Sequence, residues 1–297
     1  MYNERDIHSP HQKESPFRRI GKNRSFKTPH LQRAYNNSEF LNSNDARVIR
    51  ILAEYLETES RLSHFDIKDT VVFYGSARIL SPEKAAENLE NLRKDNAELQ
   101  DIKKAETDLK VSRYYDDARS LAQKLTAWSM ELSEKKRFIV CSGGGPGIME
   151  AANRGAADAG GPTIGMNISL PFEQFPNEYI TENLSFEYHY FFMRKFWFVY
   201  LAKALIVFPG GFGTMDELFE LLTLLQTKKV KKSMKVIVYG KEFWETIINF
   251  DALVEWGVIA QEDLNLFHIV DHVEEAFDIL KTHFEKEFLG RERYWEL

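Results

Sequence analysis

ALIVFPGGFGTMDELFELLTLLQ, residues 204–226, is the stretch whose reading decides the fold. An apolar, β-branched run ends at Pro209, glycines follow at 210, 211 and 213, and after Thr214 a cluster of carboxylates leads into an apolar pattern of helical period. This is a strand that stops at a glycine turn and opens directly into a helix. The same unit recurs upstream. TVVFYGSAR reads as a strand ending at Gly75, and strand RFIVC is followed by SGGGPGIMEAANRGAADAGG as loop and helix, then by strand PTIGMNI. Downstream, KVIVYG is a further strand. Several of these strands are continuous apolar runs alternating with helices, the pattern of a parallel sheet buried on both faces. The fold class is therefore α/β, a doubly wound parallel sheet with helices on both faces.

Around that core the chain is less regular. Residues 1–43 are polar, rich in Asn, Ser, His and Arg, and read as a flexible extension whose histidines 8, 11 and 30 lack a metal-binding spacing. Residues 44–297 read as one domain. It opens with a helix that Asn44 or Asp45 can cap, with Val48, Leu52, Tyr55 and Leu56 as its apolar face. Residues 81–109 are charged and helix-prone, and read as an inserted helix or helical hairpin. FWETIINFDALVEWG and VEEAFDILKTHFEKEF read as helices closing the sheet.

Composition excludes several classes of function. The net charge of −6 and isoelectric point near 5.8 offer no basic surface to nucleic acid or anionic membrane. The lone Cys141 rules out a disulfide framework and a cysteine-rich metal site, and is read as a small core residue at a strand end rather than a nucleophile. No window reaches the roughly 18 apolar residues of a membrane span, and the first 30 residues lack an apolar leader core, so the expected location is cytoplasmic.

Three glycine-containing turns follow strands: GSAR at 75–78, SGGGPG at 142–147 and PGGFGT at 209–214. In an open parallel sheet the carboxyl ends of the strands line the ligand crevice, so the three turns can converge although they lie far apart in sequence. Glycines allow backbone amides to approach an anion, and a following helix adds unpaired N–H donors and a positive dipole end, which makes phosphate the natural guest. Glycines that merely permit tight turns are the alternative for any single turn. SGGGPGIM places Ile148 where a dinucleotide fingerprint needs its third glycine, and Asn167 stands where a ribose-binding acid is expected. No glycine loop continues into G-K-[ST], so a Walker A site is absent too. A smaller nucleotide fits better. Thr214 and Glu217 match a capping box, Thr as cap and Glu reaching back to its amide. That reading leaves unexplained the Arg194–Lys195 pair inside FFMRKFWFVY, where buried cations need anionic partners.

PGGFGTMDE fits the P-G-G-x-G-T-x-x-E signature of the LOG (Lonely guy) family, the cytokinin riboside 5′-monophosphate phosphoribohydrolases and related proteins labelled "possible lysine decarboxylase". The chain resembles the longer bacterial members over roughly residues 70–250, including GSAR, SGGGPGIMEAANRGAADAGG and MRK. Met193 precedes the R-K pair, where short plant-type members usually carry Glu. The resemblance implies a Rossmann-like fold, usually dimeric, that hydrolyses the N-glycosidic bond of a nucleoside 5′-monophosphate to free base and ribose 5-phosphate without a cofactor. It implies Arg194 and Glu217 as catalytic residues and Gly210, Gly211, Gly213 and Thr214 as the phosphate loop. Gly75, Ser76, Arg78, Ser142, Gly143, Gly144, Met149 and Lys195 complete the candidate substrate-binding set. The extension and the insertion depart from the plant-type pattern, so AMP or another purine nucleotide stands beside a cytokinin nucleotide as substrate.

The chemistry agrees with this placement. Glycosidic cleavage builds positive charge on the ribose, which a carboxylate stabilises while activating water. Glu217 is expected in the first helical turn, where the dipole favours its ionised form, and so as base or electrostatic stabiliser; water or Glu150 is left to protonate the base. Two other readings compete. A protein of this fold can carry a nucleotide or the molybdenum cofactor without turnover. A pyridoxal-phosphate decarboxylase would need a Schiff-base lysine, and Lys195 is the only lysine adjacent to the motif residues, with no pyridinium partner marked. The apolar helix FFMRKFWFVY predicts a homodimer.

Overall fold

The computed structural model describes residues 32–132, 137–170 and 175–289. Residues 1–31 of the expected extension, with histidines 8, 11 and 30, lie outside these described residues. The chain divides into two compact units, Met1–Arg47 and Val48–Leu297. In the first, the short helix α1 (Ser38–Asn42) is capped by the side chain of Asn37, which accepts from the Phe40 amide.

The second unit contains nearly all of α2 (Arg47–His64) and a seven-stranded, wholly parallel sheet. In chain order it comprises β1 (Thr70–Tyr74), α3 (Pro82–Lys94), α4 (Leu99–Val111), α5 (Arg113–Met130), β2 (Ile139–Ser142), α6 (Ile148–Asp158) and β3 (Thr163–Ile168). Then follow β4 (Ser185–Tyr188), α7 (Phe191–Tyr200), β5 (Ala202–Val207), α8 (Phe212–Gln226) and β6 (Lys235–Tyr239). The helices α9 (Lys241–Ile247) and α10 (Phe250–Glu255), the strand β7 (His268–Val270) and α11 (Val273–Phe288) complete it. The strand order is β4-β3-β2-β1-β5-β6-β7. Growth runs outward from β1 through β2 and β3 to β4, then returns to the other side of β1 with β5. The sheet therefore changes direction between β1 and β5, where an open parallel sheet leaves its ligand crevice.

Alternate side chains of each strand enter separate cores. Val71, Phe73, Val140 and Ile206 pack with α5, α6 and α11 on one face. Val72, Cys141, Leu205 and Val238 pack with α2, α7 and α8 on the other. Both faces are covered, which is why the central strands read as unbroken apolar runs rather than alternating ones. Cys141 is wholly buried, and burial pushes its thiol pKa up, as suits a core residue.

Between β1 and β2 the chain makes the antiparallel pair α3 and α4 before α5 completes the crossover. Ser81 caps α3 by accepting from the Lys84 amide, Pro82 occupies its first turn, and an Arg93–Glu106 ion pair of 2.7 Å ties it to α4. The apolar face expected of α2 does not all turn inward: Thr58 and Leu62 are the buried positions, whereas Val48, Leu52 and Leu56 remain more than half exposed. FWETIINFDALVEWG, expected as helix, is broken at Ile248 and Asn249 into α9 and α10, and the Asn249 side chain caps the second by accepting from the Ala252 amide.

The turn after β2 shows how closely the strand ends are fitted. Gly147 has φ of 71° and ψ of −131°, and a Cβ there would lie 2.3 Å from the Ser76 carbonyl oxygen. Gly160 also has a positive φ, 75°, but nothing within 4 Å. Gly147→Ala is expected to lower unfolding free energy by about 3 kcal/mol and Gly160→Ala by about 1 kcal/mol, since the second meets only the backbone penalty. Urea titrations of both variants check this; equal losses would show that the Gly147–Ser76 approach is not a constraint.

Candidate functional site

The three glycine turns meet at the β1/β5 crevice. The Ser76 amide donates to the Pro209 carbonyl at 3.0 Å, and the Ile148 amide donates to the Ser76 carbonyl at 3.1 Å. Gly75 lies against Ile148, where a Cβ would come within 2.6 Å of its side chain. Gly210 lies against Thr214, where a Cβ would be 2.2 Å from Oγ1. A Cβ on Gly143 would be 2.7 Å from Met149 Sδ and 3.9 Å from Arg194 Nη1, so the second turn abuts Arg194. The arrangement brings Gly75, Ser76, Gly143, Met149, Arg194, Gly210 and Thr214 into one neighbourhood. Ser142 and Gly144 are wired into it, because the Gly144 amide donates to Ser142 Oγ at 3.0 Å. Arg78 is exposed on the first turn, its amide donating to Ser76 Oγ.

The two helix N-termini at the crevice differ in their capping and in the charge of their first turns. At α6 the Ile148 amide is already spent on Ser76, and Glu150 supplies a negative charge in the first turn. Glu150 accepts a 2.7 Å hydrogen bond from Tyr115 and belongs to a helix on the opposite face of the sheet from Glu217. At α8 the N-cap is Gly211, with no side-chain cap and no acid in the first turn. The amides of Phe212, Gly213 and Thr214 precede the first intrahelical bond, from the Met215 amide to the Gly211 carbonyl. Unpaired donors and an uncompensated dipole end make this the terminus suited to a phosphate group.

This geometry corrects two sequence expectations. Thr214 does not cap the helix: it is the third residue of α8, buried, with its hydroxyl against Gly210. Glu217 is consequently the sixth residue rather than part of a capping box or first turn. The helix starts three residues earlier than the capping-box signature implies, with Gly211 rather than Thr214 as its N-cap, because glycines at 211 and 213 can enter a helical start without any side chain to cap it.

Arg194, from the first turns of α7, meets Glu217 there. Its Nη2 lies 3.3 Å from Glu217 Oε1, with 12% and 13% of the two side chains exposed. Phe191 and Phe198 flank the guanidinium at 5.2 and 5.5 Å from their ring centroids. Arg194 Nε is buried without a partner among the described residues. Burial raises the Glu217 pKa to about 7, the opposite of the ionised state expected from a helix N-terminus; Arg194 and then Lys195 oppose that rise without cancelling it. Tyr74, at the end of β1, is held neutral by its own burial and by the neighbouring Glu217. Lys195 forms ion pairs with Asp216 at 2.7 Å and Glu220 at 2.9 Å. The partners demanded by two cations in an apolar helix are thus carboxylates of α8, spaced along one side of it.

Asn177, Asn153 and Tyr74 also join the site's framework, and sequence reading passed over them. Asn177 is the one with a visible signal, as the polar centre of the connection LPFEQFPNEYI. Among the described residues no group of three or more His, Cys, Asp or Glu is placed to hold a metal, and no helix is long and apolar enough to cross a membrane.

Fold and site together define a doubly wound protein with an uncapped, acid-free helix terminus at the sheet's reversal point. Residues 149–280 match the family described as "Possible lysine decarboxylase". The chain is 28% identical over 150 residues to a probable cytokinin riboside 5′-monophosphate phosphoribohydrolase of Oryza sativa subsp. japonica, covering 49% of this chain and 63% of the relative. It is 32% identical over 136 residues to a second rice protein described as a cytokinin riboside 5′-monophosphate phosphoribohydrolase, covering 44% and 54%. These two alignments each cover less than two thirds of the relative's length. Over this core the chain is similar to the LOG family, as its motifs indicate. Among solved structures it overlaps a Moco carrier protein from Chlamydomonas reinhardtii with a TM-score of 0.45, at 18% identity and over 74% of this chain and 99% of that one.

The raised Glu217 pKa has a consequence for stability. Its folded value, about 7, exceeds the ordinary 4.5, so its contribution is full below pH 4.5 and is lost as pH rises through 7. Glu217→Gln mimics the protonated acid at every pH. The variant is therefore expected to match the parent near pH 4.5 and to gain on it by about 2–3 kcal/mol by pH 8. Denaturant unfolding of both across pH 4.5–8 checks the sign. A parent that gains on the variant as pH rises would mean that Arg194 outweighs burial.

Proposed function

We propose that the protein hydrolyses the N-glycosidic bond of a purine or cytokinin nucleoside 5′-monophosphate, AMP being the first substrate to test. The observation that carries this is the Arg194–Glu217 pair beside the uncapped, acid-free start of α8. The helix terminus with Gly210, Gly211, Gly213 and Thr214 binds the 5′-phosphate, and binding energy from that remote group positions the ribose. Glu217, with a pKa near neutrality, exchanges a proton at working pH. As carboxylate it stabilises the oxocarbenium-like ribose and takes a proton from the water that attacks the anomeric carbon; the glycosidic bond breaks and the base leaves with a proton drawn from solvent. Arg194 orients the carboxylate. Gly75, Ser76, Arg78, Ser142, Gly143, Gly144 and Met149 form the substrate-side wall. Lys195, held by Asp216 and Glu220, sets the electrostatics of the pair rather than touching substrate.

The test is a panel of nucleoside 5′-monophosphates, nucleosides and bases assayed for released base. Monophosphates should be cleaved far faster than the matching nucleosides, and equal rates on AMP and adenosine would sink the phosphate assignment. Glu217→Gln, which keeps the side chain's size and fold, should lower turnover by about 100-fold or more, and Arg194→Ala should lose turnover with the fold retained. Release of adenine at the parent rate by Glu217→Gln would take catalysis away from Glu217, whereas no base released from any nucleotide by the parent would favour a carrier of a nucleotide-like cofactor.

We also propose a homodimer. Phe192, Phe196 and Tyr200 repeat every four residues along α7 and are 55%, 41% and 46% exposed. An aromatic stripe of this kind on a charged surface is stabilised by a covering partner, and a second copy supplies one by symmetry. Light scattering at micromolar concentration should give twice the chain mass of 34.6 kDa; a monomer there would refute it.

A further inference from the structure

Asn177 lies in the connection after β3, outside the motifs that mark the site, yet both its backbone and its side chain hydrogen-bond to the second glycine turn. Its amide donates to the Gly144 carbonyl at 2.8 Å. Its side-chain Nδ2 reaches the carbonyls of Gly144 at 3.0 Å and Gly145 at 3.1 Å, and Asn153 Oδ1 at 2.9 Å. Its Oδ1 accepts from the Tyr179 amide at 3.2 Å, which fixes the amide plane.

Asn153, which is fully buried, continues the network. Its Oδ1 accepts from Ser142 Oγ at 2.6 Å, and its Nδ2 donates to Thr163 Oγ1 and the Ile164 carbonyl. Ser142 Oγ in turn accepts from the Gly144 amide. The turn is thus gripped from both sides. Its carbonyls at 144 and 145 are drawn to Asn177, and its amide at 144 to Ser142. In a trans peptide the N–H points opposite to the C=O, so the Gly144 carbonyl bound to Asn177 turns the Gly145 amide away from the clamp. Gly144 has φ of 73°, and Gly143 rests against Met149 and Arg194. Without the clamp, a glycine-rich turn of this kind has many conformations, and its place beside Arg194 would not be set.

We infer that Asn177 is a positioning residue for the nucleotide site, holding the 143–145 turn as a preset wall beside Arg194. The inference rests on the nucleotide reading proposed above. It concerns ground-state and transition-state binding alike, because the wall touches substrate throughout, so its loss raises KM more than it lowers kcat.

Two substitutions in the 297-residue chain test it. Asn177→Asp keeps the shape but replaces the Nδ2 donors by a carboxylate oxygen facing two carbonyls, and Asn177→Ala removes them. For AMP, or the monophosphate cleaved best in the panel, both variants should raise KM at least 10-fold at pH 8 with kcat within about 3-fold. The Asp variant should recover towards the parent's KM as pH falls and its carboxyl regains a donor proton, measured as the ratio to the parent at each pH; the Ala variant should not. Hydrogen exchange in peptides spanning 142–150 should speed up in both. KM within 2-fold of the parent together with unchanged exchange in that segment would overturn the inference. If Asn177→Asp fails to fold, the Ala variant decides by the same two readouts. If the parent cleaves no nucleotide, the proposed function falls, and the exchange arm alone still decides whether Asn177 clamps the turn.

Discussion

The reversal of the sheet between β1 and β5 is the constraint on which the rest of the site depends. β1 pairs with β2 on one side and β5 on the other, so the three chain segments leaving these strands must emerge side by side at one edge. Two backbone hydrogen bonds, Ser76 to Pro209 and Ile148 to Ser76, then fix the GSAR turn as the bridge between the outer two. Glycine is required where that bridge is tightest, since a side chain on Gly147 would strike the Ser76 carbonyl. The glycines therefore do two different things. Those at 75 and 147 allow turns to touch each other, whereas those at 211 and 213 leave a helix start open, with nothing within 4 Å of where a Cβ would stand. Density of glycine alone does not tell these apart; the partners of the neighbouring amides do.

The class of fold was fully legible, and so was most of the element order. Central strands are long apolar runs because both their faces are buried, and that signal survives without any alignment. The edge strands were not read. β4 (SFEY) alternates in burial, and β7 is three residues with His268 exposed, so neither carries enough apolar pattern to announce itself. At the site the three glycine turns converge as an open parallel sheet predicts, but the burial of Glu217 reverses the direction that a helix start implies for its pKa. Sequence suggested a capped helix start in which the dipole favours an ionised acid. The outcome turned on where the helix begins and on how deeply α7 covers Glu217, and neither is encoded in local pattern. Asn177 and Asn153 escaped for a related reason: a buried asparagine works through distant backbone carbonyls, and nothing in its own neighbourhood marks them.

Helix α7 shows how the catalytic candidates are held without help from a ligand. Its N-terminal end receives the Glu54 carboxylate of α2, whose oxygens accept from the amides of His189 at 2.8 Å and Tyr190 at 3.4 Å. Its C-terminal end receives Lys232, whose Nζ donates to the carbonyls of Val199 and Tyr200. An anion at the start and a cation at the end match the helix dipole. Burial lowers the Lys232 pKa to about 7, so the cationic cap weakens as pH rises through neutrality, in the same range where Glu217 ionises. The two effects act on the two helices that meet at the Arg194–Glu217 pair. Burial thus moves both groups toward neutrality, Glu217 of α8 beside the crevice and Lys232 at the far end of α7, so the charge of the Arg194–Glu217 pair and the fixing of the helix that carries Arg194 both depend on pH near neutrality.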